Sequence, residues 1–270
     1  MHYVNMHGAG NSFVIVEDPQ RKLQGEELKN LALKLCKREN TDGMIVAVPA
    51  EDADFGMLFY NADGSLGEMC GNGARCIARY GLERGLAPNP SNIRIRATAG
   101  LVRARKITRA LYEVRLNDPS VIDLRRLARA DGEEIPCAYV ELGDPGIPHA
   151  VVEVEENAFD DTDALRRRGR ALRNSPAFPR GANVSFVCLT GEDRVRAITY
   201  ERGVEDFTCA CGTGAGAIAL SLSLAGKLSG DRVAVYMPGG CLAVRLRYEG
   251  GRVSDLYLTG PTAVTGEGDQ

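Results

Sequence analysis

Hydrophobic positions along the chain follow two periods, and the order in which those periods alternate occurs twice. Residues 12–17 alternate like a strand, and 26–38 (EELKNLALKLCKR) place apolar side chains at helical spacing. Strands are predicted at 44–48 and 55–60, an apolar helix at 73–85, then strands at 93–98, 101–107 and 111–117. The second half runs strand 150–155, helix 163–173, strands 183–189 and 194–201, helix 213–227, and strands 231–236, 241–248 and 253–259. The helices in ARCIARYGLERGL and GAGAIALSLSLAGKL are apolar on most faces, which predicts burial rather than one solvent-facing stripe.

Landmark residues recur at a nearly constant offset. His7 and His149 are 142 residues apart, Cys70 and Cys211 are 141, Gly100 and Gly240 are 140, and Pro119 and Pro261 are 142. A duplication of this kind is best sought before anything else, because it decides the architecture. The expected fold class is α/β (α+β): two pseudo-symmetric lobes, each a strand-rich sheet wrapped around a central apolar helix, with the active site in the cleft between them. The expected boundaries are 1–119 for the N-terminal lobe, 120–142 for a linker region, 143–262 for the C-terminal lobe and 263–270 for a tail. The linker is placed on the charged run DLRRLARADGEE.

Composition narrows the function classes. Hydrophobic residues are 44% and charged residues 26% of 270, the profile of a soluble chain with a sizeable core. The net charge of −3 gives no reason to expect nucleic acid or an anionic membrane as partner. The arginine-rich run 164–173 reads as a solvated helix face. No apolar stretch approaches the ~20 residues that span a bilayer, and the first residues lack a basic segment followed by an apolar run. A cytoplasmic location is expected, with the eight cysteines reduced rather than paired.

The candidate chemistry lies in two cysteines that each precede a glycine turn: Cys70-Gly71-Asn72-Gly73 and Cys211-Gly212-Thr213-Gly214. A helix N-terminus offers unpaired N–H groups and partial positive charge. It can lower a thiol pKa and hold a carboxylate. Two such turns facing one bound amino acid would set an acid and a base on opposite faces of Cα, the arrangement that inverts a stereocentre. A pyridoxal phosphate Schiff base is not suggested by the six lysines, and no cofactor is expected. Cys209-Ala210-Cys211 lacks the second cluster that a zinc site needs, so no metal is expected. A thiol redox or sensor protein using these cysteines is the alternative from another class.

At these residues the sequence resembles the diaminopimelate epimerase family. The matching blocks are MHGAGNSFVIVED (6–18), YNADGSLGEMCGNGARCIAR (60–79), PHAVVEVE (148–155), GANVSFV (181–187), YERGVEDFTCACGTGAGA (200–217) and PGG (238–240). The resemblance implies a cofactor-independent epimerase that interconverts LL- and meso-diaminopimelate, with Cys70 and Cys211 as the proton-transferring pair. It also implies that Asn11, Gly71, Asn72, Gly212 and Thr213 hold the reacting end and that Asn61, Asn183, Glu201 and Arg202 contact the distal end. His149 and Glu201 would tune the thiols, and a homodimer is one possible assembly. The family's usual Gly-Asn-Pro-His stands here as Gly146-Ile147-Pro148-His149, its Gly-Ala-Asp-Gly as Asn40-Thr41-Asp42-Gly43, and its Gly-Asn-Asp-Phe as Gly10-Asn11-Ser12-Phe13. Ile147 cannot donate a hydrogen bond, which opens a second substrate reading: a racemase of another amino acid using the same thiols.

Overall fold

The computed structural model describes residues 1–67, 69–249 and 252–270. The chain divides into two compact units, Met1–Arg115 with Thr259–Gln270, and Leu116–Leu258. No helix among the described residues is long and apolar enough to cross a membrane.

In the first unit, strand Asn11–Glu17 runs parallel to Gly43–Val48, and helix α1 (Glu26–Glu39) makes the crossover. Strand Phe55–Asn61 runs parallel to Ile93–Ala97, and helix α2 (Gly71–Glu83) makes the second crossover. Parallel pairs require such crossovers, which explains the alternation of periods in the sequence. The strands FVIV and MIVAV are buried on both faces. Val14, Val16, Met44 and Val46 pack against Leu28, Ala32 and Leu35 of α1. On the other side Gly73 of α2 lies against Ile45 and Phe13. A layer buried on both faces shows continuous apolar runs instead of strict alternation.

The second unit repeats this order. Gly146–Glu153 is parallel to Asn183–Gly191 with helix α3 (Thr162–Arg173) between them, and Arg194–Glu201 is parallel to Arg232–Met237 with helix α4 (Gly212–Leu224) between them. Helices α2 and α4 are each 13 residues long, buried along most of their length, and begin 141 residues apart. Glycine lets the strands close on them. A Cβ at Gly216 would lie 2.5 Å from Leu116 Cδ1, and one at Gly81 would lie 2.5 Å from the Phe55 ring. The arginine-rich face of α3 is solvated as expected, with Arg166, Arg168 and Arg173 paired to exposed carboxylates while Leu165 and Leu172 are buried.

Three expectations are corrected. Residues 120–142 are not a linker: Pro119–Ala130 and Glu133–Gly143 form a long antiparallel hairpin of the second unit, turning at Asp131-Gly132 with φ of 52° and 84°. Positive φ at both positions matches a two-residue hairpin turn, whose hand suits twisted strands. Residues 263–270 are not a tail: Ala263–Asp269 pairs with His2–Gly8 and gives that strand a partner on its open side. His7 and His149 are also not equivalent. His149 pairs with Asn183 across the parallel ladder, and the residue that pairs with Gly43 at the matching place is Phe13. His7 lies one strand earlier, so the 142-residue spacing of the histidines is a coincidence of loop lengths. The same register puts Ile147 where the first unit has Asn11.

Candidate active site

The sequence-predicted residues fall into two clusters, one in each unit. In the first, Cys70 is the N-cap of α2, with extended backbone (φ −132°, ψ 115°). Its sulfur accepts the Gly73 N–H at 3.4 Å, one of the amides that a helix start leaves unpaired. Its thiol donates to Asn11 Oδ1 at 3.6 Å, and Asn72 Nδ2 donates to the same oxygen at 3.4 Å. Asn11 Nδ2 in turn donates to Asp42 Oδ2 at 2.9 Å. Asp42 also accepts from the backbone N–H and the hydroxyl of Ser12, at 2.7 and 3.0 Å. Ser12, one of the departures from the family pattern, thus helps hold the Asp42 carboxylate that accepts from Asn11. Asn61 sits at the end of its strand, where Nδ2 donates to Ser65 Oγ at 2.9 Å. Asp63 Oδ1 ties down the same turn by accepting from the Ser65 N–H and hydroxyl.

In the second cluster Cys211 is the N-cap of α4 with the same extended backbone (φ −110°, ψ 110°). Its backbone N–H donates to Met237 Sδ at 3.4 Å, and its sulfur lies 3.8 Å from Thr213 Oγ1. Cys211 is buried, and burial followed by the Glu201 carboxylate pushes its thiol well above the ordinary thiol range. This reverses the expectation that a helix N-terminus holds this thiol low: desolvation and a neighbouring negative charge outweigh the helix N–H groups. Glu201 is half-buried at the end of its strand and accepts a hydrogen bond from the Thr208 hydroxyl.

Asn183 Oδ1 accepts the backbone N–H of Arg202 at 2.8 Å. The exposed Arg202 guanidinium donates to the Arg180 carbonyl at 3.0 Å and has no carboxylate partner among the described residues. His149 is fully buried, and neither ring nitrogen has a hydrogen-bond partner among the described residues. Burial, with a smaller contribution from the Arg202 charge, lowers its pKa to about 3. It is a neutral imidazole at physiological pH rather than a group that titrates near neutrality, because no anion among the described residues offsets its desolvation. Ile147 is half-buried beside Leu142. Cys209 is exposed, and its carbonyl accepts the Gly239 N–H at 2.7 Å. Among the described residues no group of three or more His, Cys, Asp or Glu is arranged to hold a metal ion.

A family model described as diaminopimelate epimerase matches residues 3–112 and 143–264. The chain belongs to the diaminopimelate epimerase family. It is similar to the diaminopimelate epimerase of Carboxydothermus hydrogenoformans, 32% identical over 281 aligned positions that cover 100% of this chain and 99% of that one. It is also similar to the enzyme of that name from Aquifex aeolicus, at 34% identity over 78% of this chain and 77% of the relative. Two solved structures share the fold. A probable proline racemase from Agrobacterium radiobacter matches with a TM-score of 0.73 at 19% identity, covering 100% of this chain and 92% of that one. A phenazine biosynthesis protein of the PhzF family from Bacillus anthracis matches with 0.76 at 16% identity, covering 99% and 97%. Membership in the diaminopimelate epimerase family makes the chain an isomerase, an amino acid epimerase.

The candidates from sequence leave out residues that these clusters use. Thr208 contacts Glu201, and Met237 contacts the Cys211 backbone. Arg75 donates to Asn72 Oδ1 at 2.8 Å from inside α2. The signal for Arg75 was a charged residue within the run Ala74-Arg75-Cys76-Ile77-Ala78 of a helix read as buried. Thr208 and Met237 carried none, because each is an ordinary residue made relevant only by strand pairing.

Proposed function

We propose that this chain interconverts LL- and meso-diaminopimelate by moving protons between two thiols, Cys70 and Cys211, on opposite faces of the substrate Cα, without a cofactor. The observation that carries the reading is the repetition of one device: each unit has a cysteine at the N-cap of a buried 13-residue helix, followed directly by glycine. One sulfur, as thiolate, takes the Cα proton. The other, as thiol, delivers its own proton from the opposite side, so the two sulfurs exchange charge states in each turnover. The N–H groups of Gly71 and Asn72, and of Gly212 and Thr213, stabilise the negative charge that builds on the substrate carboxylate. In the direction in which Cys211, buried beside Glu201, starts as the thiol, it is the proton donor and Cys70 the acceptor, and the roles exchange in the reverse direction.

Arg202 supports a substrate with a second carboxylate. A guanidinium lacking a carboxylate partner matches the planar geometry of that group, and Asn183 fixes its backbone. The second reading, a racemase of another amino acid, is favoured by Ile147. In the first unit the matching place holds Asn11, an amide bonded to Asp42 and the Cys70 thiol. In the second unit it holds an apolar side chain.

Deuterium uptake at Cα from heavy water, measured over a panel of amino acids, tests the proposal. Exchange should be fastest with diaminopimelate, and Cys70→Ser and Cys211→Ser should each abolish inversion. Diaminopimelate exchanging no faster than glutamate or histidine would transfer the reading to the second substrate class. Inversion surviving in either serine variant would end the two-thiol mechanism.

A further inference from the structure

The main chain of Cys211 is held on both sides of its Cα. The carbonyl accepts the Ala215 N–H at 2.9 Å, the first bond of α4, and the buried N–H donates to Met237 Sδ at 3.4 Å. A residue has two soft backbone dihedrals. One bond on each side fixes both of them, and with them the direction in which Cβ carries the sulfur. Any helix supplies the carbonyl bond, because an N-cap carbonyl accepts the first intrahelical N–H. The N–H of the cap residue has no such partner and must find an acceptor elsewhere. Here the acceptor is a thioether, and among the described residues it is the only one that this N–H meets.

Met237 is buried at the end of its strand. Two residues further on, the Gly239 N–H donates to the Cys209 carbonyl at 2.7 Å. The segment 237–239 therefore clamps the irregular stretch before α4 at two points, and Met237 supplies the one at the residue that carries the thiol.

The first unit is built differently. Met237 pairs with Gly240 where its strand turns back, and at the matching turn Ala97 pairs with Gly100. Alanine offers no acceptor. Cys70 is held through its sulfur, which accepts the Gly73 N–H at 3.4 Å and donates to Asn11 Oδ1 at 3.6 Å. The Cys211 sulfur approaches Thr213 Oγ1 only to 3.8 Å, so more of its placement falls on the backbone.

We propose that Met237 is the positioning residue of Cys211: by accepting the Cys211 N–H, its sulfur sets the direction of the thiol. It acts without touching substrate, and the inference rests on Cys211 being a reacting thiol. Leucine at 237 would keep the apolar bulk and remove the acceptor. A buried donor left without a partner bears its full desolvation cost. The segment recovers that cost only by turning the N–H elsewhere, which rotates the residue and swings its sulfur.

The test compares the full chain with its Met237→Leu variant, both carrying Cys209→Ser so that the mapped peptide holds one thiol. In the parent, the Cys211 amide should exchange with heavy water more slowly than a free peptide. In Met237→Leu it should exchange about threefold to tenfold faster, the effect of losing one hydrogen bond. Iodoacetamide should then modify Cys211 faster while Cys70 keeps its parent rate, which a general loosening of the fold would not produce. For Cα exchange, kcat should fall about tenfold, since about 1 Å of misplacement can cost a hundredfold, and KM should stay near the parent value. A parent Cys211 amide as fast as a free peptide, which needs no variant to fold, overturns the proposal. So does a folded Met237→Leu with an unchanged Cys211 amide, or one whose amide is freed while kcat and Cys211 alkylation hold. A parent that exchanges no Cα proton of any amino acid removes the epimerase reading instead, and the amide and alkylation rates still decide the role of Met237.

Discussion

The side-chain oxygen of Asn183 holds the backbone N–H of Arg202 at 2.8 Å, so the first residue of one strand sets the place of the arginine that follows the next. Asn183 is itself buried. Removing its oxygen leaves that N–H unpaired, at a cost of ~1–3 kcal/mol, and frees the guanidinium to wander. In Asn183→Ala we expect KM for diaminopimelate to rise about tenfold, since 1.4 kcal/mol is a factor of ten, with kcat changed much less. Steady-state kinetics checks this. A fall in kcat at constant KM would show that Asn183 serves the reacting end instead.

Glu201 and Cys211 are coupled through charge. Burial is the largest cause of the raised thiol pKa and the Glu201 carboxylate the next. Glu201→Gln removes the charge and keeps an oxygen to accept from Thr208. The thiolate then becomes less unfavourable, so the midpoint for Cys211 alkylation should move to lower pH. Mass mapping of the modified peptide across a pH series reads it. A midpoint that stays or rises would mean that the carboxylate does not act on this sulfur.

The parts of this molecule legible in the sequence are those where one residue type has one physical use. The cysteines before glycine turns, the apolar central helices and the repeated order of elements are all present as expected. The hairpin over 119–143 escaped for a definable reason. Its exposure alternates on a half-exposed ribbon, but Ile122 and Leu127 lie on the exposed face and Arg126 on the other, so residue type did not show the period of two. Asp131-Gly132, a strong hairpin dipeptide, was the signal to weigh instead. The state of His149 was not legible, because burial and the absence of a partner belong to packing and not to sequence neighbours. The Arg75 to Asp42 chain was hidden because its members come from three separate elements.

His149 should make the fold sensitive to mild acid. Its pKa is lowered to about 3, against 6.5 for the free side chain. Between those values the unfolded chain binds a proton that the folded chain does not, so stability falls as pH drops from about 6.5 toward 3. Above 6.5 both states are neutral and the effect vanishes. The slope from this group is about 1.4 kcal/mol per pH unit. Urea unfolding midpoints measured from pH 7 to 5 should show it, and His149→Gln should flatten the curve by that amount. An identical slope in the variant would mean that other groups govern the acid limb.

Gly214 faces Cys211 across the first turn of α4, where an added Cβ would lie 3.1 Å from both the Cys211 Cβ and its sulfur. The backbone there is ordinary helix, so alanine brings no conformational strain and gains up to ~1 kcal/mol of helix propensity. Its cost falls on the sulfur, which must shift by a few tenths of an ångström. A displacement of about 1 Å at a reacting group can cost a hundredfold, so about tenfold is expected here. Gly214→Ala should therefore lower kcat about tenfold while the melting temperature holds or rises. Stability and rate moving in opposite directions separates a misplaced thiol from a damaged fold. Full activity in this variant would show that the reaction does not depend on where the Cys211 sulfur sits.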